Sequence, residues 1–264
     1  MRLLHSTSID ARSPECFYAT IIHIASSRQV SAYDIIGLAM IKIVPHLVNA
    51  NGRLDEFVQQ INKATKMAEE YAFPKLEPVR SVNIVFSDAF RVDIIPETHI
   101  GGHTYLDDFI AVTIDSNSKG IRADDIFLTI CHELCHAIRW QYNDEWSATL
   151  LDGMVFEGLA TAFEIEAARD NGVDLDFFAK TIVKRTDKDN RKIANILSEK
   201  LYSQVYNYNL VFFTGNEAKG LPRWSGYSLG YYIVREYSDK HGKGVSDIFK
   251  THYSDFVSFV KNDC

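Results

Sequence analysis

The segment His132-Glu133-Leu134-Cys135-His136 sets two imidazoles four residues apart, with a carboxylate directly after the first. On a helix each residue advances about 100° around the axis, so the two rings share one face, one turn apart. Such a pair offers two neutral nitrogen ligands to a tetrahedral zinc ion. Glu133 flanks that face, within reach of a water at an open coordination position. Zinc lowers the pKa of such a water to about 7, and a carboxylate can take its proton. The chemistry spelled by H-E-x-x-H is hydrolysis assisted by one zinc ion, with His132 and His136 as ligands and Glu133 as general base.

Five residues alone also fit a helix whose histidines are simply packed in a core, so the flanks decide. Asp124 and Asp125 favour a helix start through the helix dipole. Ile126, Phe127, Ile130, Leu134 and Ile138 recur at helical spacing, and neither Pro nor Gly interrupts residues 121–142. The motif therefore lies in a helix apolar enough to be mostly buried.

A site of this kind needs a third protein ligand. The metzincin extension H-E-x-x-H-x-x-G-x-x-H is excluded, because Arg139 and Tyr142 occupy the corresponding positions. The other common solution is a glutamate on a following helix. Residues 146–164 read as that helix, with Leu150, Leu151, Met154, Val155, Leu159, Ala162 and Phe163 making a wide apolar face. Glu157 falls in its middle. A charge buried there is costly unless it is paired or bound to a metal. Gly158 beside it permits close packing against the motif helix. Glu164 and Glu166, further along, read as surface acids.

Glu157-Gly158-Leu159-Ala160-Thr161 resembles the E-G-[LF]-A element of the gluzincin zinc peptidases, and the stretch 224–237, with Tyr227 and Gly230, resembles the Tyr-x-x-Gly helix of that clan. Over residues 80–240 the pattern is most similar to the YjaZ-type family of predicted zinc-dependent proteases. The resemblance implies an α+β zincin: a thermolysin-like core with a small mixed sheet, an active-site helix and a helical C-terminal lobe. It implies His132, His136 and Glu157 as the ligands of one Zn2+, Glu133 as general base and acid, and Tyr227 as the donor to the oxyanion. A phenol suits that role because it donates to developing charge without carrying charge itself. A tyrosine that only packs is the alternative, given Tyr231, Tyr232 and Tyr237 nearby. Arg235, two turns beyond Tyr227, reads either as a holder of a substrate carboxylate or as a surface residue. In gluzincins the sheet edge beside the metal pairs with extended substrate. Gly101 and Gly102 are candidates for that edge, and a plain bulge or turn is the alternative reading. One position departs from the thermolysin pattern. The aspartate expected four residues after the ligand glutamate is Thr161, so Thr161, a backbone carbonyl or an acid such as Asp152 must orient the first histidine.

The rest of the chain bounds these readings. Its 264 residues suffice for one substantial core, and 46% hydrophobic content is ordinary for a soluble protein. A net charge of −7 without any basic run argues against nucleic acid and anionic membranes as partners. The N-terminus lacks the apolar core of a signal peptide, and no stretch reaches membrane-spanning length. A cytoplasmic location with reduced thiols follows. Of the four cysteines, Cys131 and Cys135 lie on the motif helix well away from the histidine mid-line and read as small buried hydrophobes.

Three regions are expected: a helical N-terminal region to residue 75, a lobe over 76–170 carrying the sheet and both ligand helices, and a helical lobe over 171–264. The periodicity predicts helices over 32–48 and 54–71. It also predicts a strand over 79–86 with Val82, Ile84 and Phe86 on one side, and a hairpin around Asp107-Asp108. Three functions remain open: a zinc peptidase acting on a peptide or protein, a metallohydrolase of a non-peptide amide or ester, and a non-catalytic zinc-binding module.

Overall fold

In the computed structural model, residues 41–89, 94–143 and 149–256 are described. Four strands form one mixed sheet: β1 (Ile43–Val48), β2 (Val82–Asp88), β3 (Ile100–Leu106) and β4 (Phe109–Ile114). Their order across the sheet is β1-β2-β4-β3. β1 and β2 run parallel, which requires a crossover, and helix α1 (Val58–Leu76) supplies it. β2 and β4 are also parallel, whereas β3 and β4 close an antiparallel hairpin around Asp107-Asp108. Alternation along β2 and β4 buries Val82, Ile84, Phe86, Ile110, Val112 and Ile114 completely.

Strand β1 replaces part of the helix expected over 32–48; residues 32–40 lie outside the described ones. Pro45 explains the difference. Proline breaks a helix interior but is tolerated at a sheet edge, where its missing N–H leaves no ladder bond unmade, and β1 is an edge strand. The Ile43 N–H donates to Glu69 of α1, and His46 hydrogen-bonds Asn83 of β2 at 2.9 Å. These ties fasten residues 41–76 to the sheet, and β1 makes part of this stretch strand rather than helix. The described residues form one unit.

The H-E-x-x-H segment lies on α2 (Ala123–Tyr142), which packs against α1, β3, β4 and the next helix, α3 (Leu150–Asn171). At its start the Asp125 carboxylate accepts the Arg122 N–H at 3.0 Å, satisfying a donor the helix cannot. Residues Ile126 to Arg139 are buried apart from Thr129, as befits a helix surrounded on all sides. Buried Arg139 donates to the carbonyls of Phe249 and Thr251, fastening the C-terminal segment to the motif helix. Cys131 and Cys135 are fully buried, and burial raises both thiols, Cys135 to about 12, so neither ionises near neutrality. Cys16 and Cys264 lie outside the described residues.

Helix α3 packs chiefly against α6 (Ser225–His241). Between them in sequence come α4 (Phe177–Lys184), α5 (Asp187–Leu197) and an irregular stretch containing a π-helical segment, Asn209–Thr214. A short α7 (Val245–Ile248) follows. At the crossing of α3 and α6, Gly158 faces Gly230: a Cβ on either would strike the backbone of the other helix. Gly158 thus serves the contact with α6, not the one expected with the motif helix. No described helix is long and apolar enough to cross a membrane.

Candidate metal centre

One helical turn brings His132 and His136 together with ring centroids 4.9 Å apart. From α3, Glu157 projects a single carboxylate oxygen, Oε2, to 3.3 Å from the Nε2 atoms of both rings. All three residues are buried. The 3.3 Å separation is that of a long hydrogen bond and equally that of two ligands on one ion. Two ligand atoms about 2.05 Å from a shared tetrahedral centre stand about 3.3 Å apart. The donor set, its spacing and its burial therefore fit a zinc ion at the common face, and the three ligand atoms lie within 4.8 Å of one another.

The first histidine is oriented by Glu164. Its Oε2 lies 3.1 Å from His132 Nδ1, and the residue is only 3% exposed. This overturns its reading as a surface acid. The glutamate takes the role that Thr161 or Asp152 was expected to fill. Thr161 is buried, and its hydroxyl has no hydrogen-bond partner among the described residues. Seven residues separate Glu157 from Glu164, two helical turns on one face, and that spacing was the available signal. Glu166 faces elsewhere and accepts the Val245 N–H at 3.3 Å. His136 is oriented by stacking on Phe156, with centroids 4.0 Å apart, and Phe156 stacks in turn on Trp140.

Electrostatics agree with a cation site. Burial opposes charge on His132, yet hydrogen bonds to Glu157 and Glu164 raise its pKa well above the imidazole range. Burial likewise opposes charge on Glu157, yet the two histidines hold its carboxyl well below the carboxylate range. The pocket thus favours positive charge at the imidazoles and an ionised Glu157.

Glu133 is buried between α2 and strand β3. The Thr104 hydroxyl lies 2.7 Å from Glu133 Oε2 and 3.0 Å from its backbone carbonyl. Gly102, two residues earlier on β3, leaves the space this carboxylate fills: a Cβ there would sit 2.5 Å from Oε1. Gly101 is buried and paired to β4, its carbonyl 3.4 Å from the Thr113 hydroxyl. Gly102 is thus the glycine of the pair that touches Glu133. β3 ends the sheet order, so its outer edge has no strand partner among the described residues.

Tyr227, in the first turn of α6, sets its ring 6.4 Å from that of His132 and packs edge-on against Phe178 and Phe212. Gly226 beside it does not leave open space; the ring of Phe212 occupies it. Arg235 is not brought to the centre. It is paired with Asp187 and Glu236, about 12 Å along the helix axis from Tyr227. Tyr208, which the sequence reading missed, donates from its hydroxyl to Glu157 Oε1 at 2.8 Å.

The model of a family described as predicted Zn-dependent protease (DUF2268) matches residues 57–258. The chain belongs to this family. The match begins just before α1 and takes in all the elements that bear on the site: α2, α3, the hairpin and α6. Among curated proteins, the chain is similar to the uncharacterized protein YjfC of Bacillus subtilis (strain 168), 26% identical over 161 residues. That alignment covers 57% of this chain, which spans about half (51%) of the relative's length. No solved structure matches.

Proposed function

We propose that this chain is a zinc-dependent peptidase of gluzincin type, with a single zinc ion held by His132, His136 and Glu157. The observation that carries the reading is Glu157 Oε2, placed 3.3 Å from both imidazole nitrogens, with Glu133 buried alongside. A bound zinc ion would act there as a Lewis acid that makes water nucleophilic near neutral pH.

Everything else is the work of the chain's own side chains. Glu133 accepts the proton of the attacking water and returns it to the leaving amine, so one carboxylate serves as base and then acid. Thr104 holds Oε2 of that carboxylate, leaving Oε1 on the side of Gly102 for the proton. The Tyr227 phenol donates to the carbonyl oxygen as negative charge develops; burial, with Glu157 and Glu133 nearby, raises its pKa well above the usual value and keeps its proton in place. The open edge of β3 offers backbone partners to an extended peptide, and Gly102 lets that backbone approach Glu133. This edge favours a peptide over a small amide or ester. A buried base beside the ligands argues for catalysis over a purely structural zinc site, since folding needs no carboxylate there.

The test compares the parent with Glu133→Gln in metal content and in cleavage of a peptide library. Zinc bound by both proteins, with turnover lost in the variant, is the expected result. A variant that cleaves as fast as the parent would sink the mechanism.

A further inference from the structure

The ligand Glu157 has two carboxylate oxygens, and the histidines account for one. The other, Oε1, accepts the Tyr208 hydroxyl at 2.8 Å. Tyr208 comes from the irregular stretch between α5 and α6, directly before the π-helical segment Asn209–Thr214. Its ring lies on Phe212 with centroids 4.4 Å apart and planes 20° from parallel. Phe212 is fully buried against Gly226, where a Cβ would meet its ring at 2.5 Å. A continuous stack thus runs from the start of α6 through Phe212 to Tyr208. One side of the Tyr208 ring faces solvent at 39% exposure, while its hydroxyl reaches the buried glutamate.

We infer that Tyr208 is a positioning residue for the metal centre, holding Glu157 so that only Oε2 faces the two imidazoles. A carboxylate is free to rotate and can offer one oxygen or two. A donor fixed on Oε1 removes that choice and leaves a coordination position open for water. The π-helical segment is the device that fixes the donor. Tyr208 caps this segment and stacks on Phe212 within it, and π-turns recur at functional sites. The inference rests on the zinc reading above and goes beyond it by making the 203–225 stretch part of the site.

The experiment measures zinc affinity by chelator competition on the metal-stripped full chain, for the parent, Tyr208→Phe and Glu157→Ala, with thermal melts of each stripped protein. Tyr208→Phe keeps the ring stack and loses only the hydroxyl. It should bind zinc about 10–100-fold more weakly, the range for loss of a group that supports a ligand, while its metal-free melting temperature stays at that of the parent. Unchanged zinc affinity in Tyr208→Phe beside a weakened Glu157→Ala would overturn the role of Tyr208 and leave the ligand assignment standing. Unchanged affinity in both variants would overturn the ligand assignment and this inference with it.

Discussion

At the scale of single residues, the site depends on what glycine does not carry. Gly102 faces Glu133, and a methyl group there would lie 2.5 Å from the carboxylate. The obstructing atoms are the far end of a side chain, so the fold can yield by letting Glu133 swing. The Thr104 hydroxyl holds that carboxylate, however, and a swing breaks this bond and moves the base. Gly102→Ala is therefore expected to cost about 1 kcal/mol or less in stability. Its kcat/KM should fall about 100-fold, the scale of a 1 Å misplacement. Peptide cleavage together with a thermal melt checks this; activity and stability falling together would show damage to the fold rather than to the base. The His132, His136 and Glu157 cluster was legible because helical spacing is local: His132 with His136, and Glu157 in an apolar helix. Glu164 was hidden because acids near a helix end usually face water, and only its two-turn spacing from Glu157 marks it. Tyr208 carried no signal at all. It reaches its partner from an aperiodic stretch, 51 residues away in sequence.

At the scale of elements, the crossing of α3 and α6 sets Glu157 against Tyr227. Gly230 lies one turn after Tyr227 and Gly158 lies next to Glu157, so the closest approach of the two helices falls beside the metal centre. A Cβ at Gly230 would meet the Met154 carbonyl, and one at Gly158 would meet the Gly230 backbone. Backbone cannot rotate away as a side chain can. Gly158→Ala and Gly230→Ala should each destabilise by about 3 kcal/mol, at the upper end of overpacking costs, lowering the melting temperature by roughly 6–12 °C. Gly244→Ala is the control, since the nearest atoms there stand 3.7 Å away or more, and it should be near neutral. Two destabilised variants beside an unaffected control would establish the crossing as the tight joint. Neutral behaviour at Gly158 and Gly230 would mean the helices can separate without loss. The elements readable in advance were those with local periodicity, namely α1, α2, α3, β2 and the hairpin. The strand at β1 was not, because parallel pairing with β2 is a long-range event and a short, largely apolar run carries no period that tells a helix from a strand.

For the molecule as a whole, the buried acids around the histidines make stability depend on pH and on metal together. His132 has a folded pKa well above the ordinary imidazole value of 6.5. Its contribution is complete below 6.5 and is lost as pH rises through the folded value. Asp176, which caps α4, is pushed up to about 7 by burial first and then by Glu164. Its contribution is complete below the unfolded value near 3.8 and is lost as pH rises through about 7. Glu157 has the opposite sign, since its lowered pKa makes its contribution present above 4.5 and lost only as pH falls below that. Above pH 5 the Glu157 contribution is constant, while the two raised groups both act downward. Metal-stripped protein should lose stability from pH 5.5 to 8.5, by at least about 1 kcal/mol, or 2–4 °C in melting temperature for a chain of this size. Zinc reverses the trend, because it supplies the positive charge that protons supply at low pH and binds the imidazoles once they are neutral. The stabilisation by a fixed excess of zinc should accordingly grow with pH over the same window. Asp176→Asn keeps an acceptor for the Ala179 N–H and removes one of the two titrating groups, so its metal-free melting temperature should fall less steeply. Melting curves at pH 5.5, 7 and 8.5, with and without zinc, decide the matter. A metal-free profile that is flat or rises with pH would contradict the assignment of these buried charges, and zinc stabilisation independent of pH would contradict coordination by the histidines.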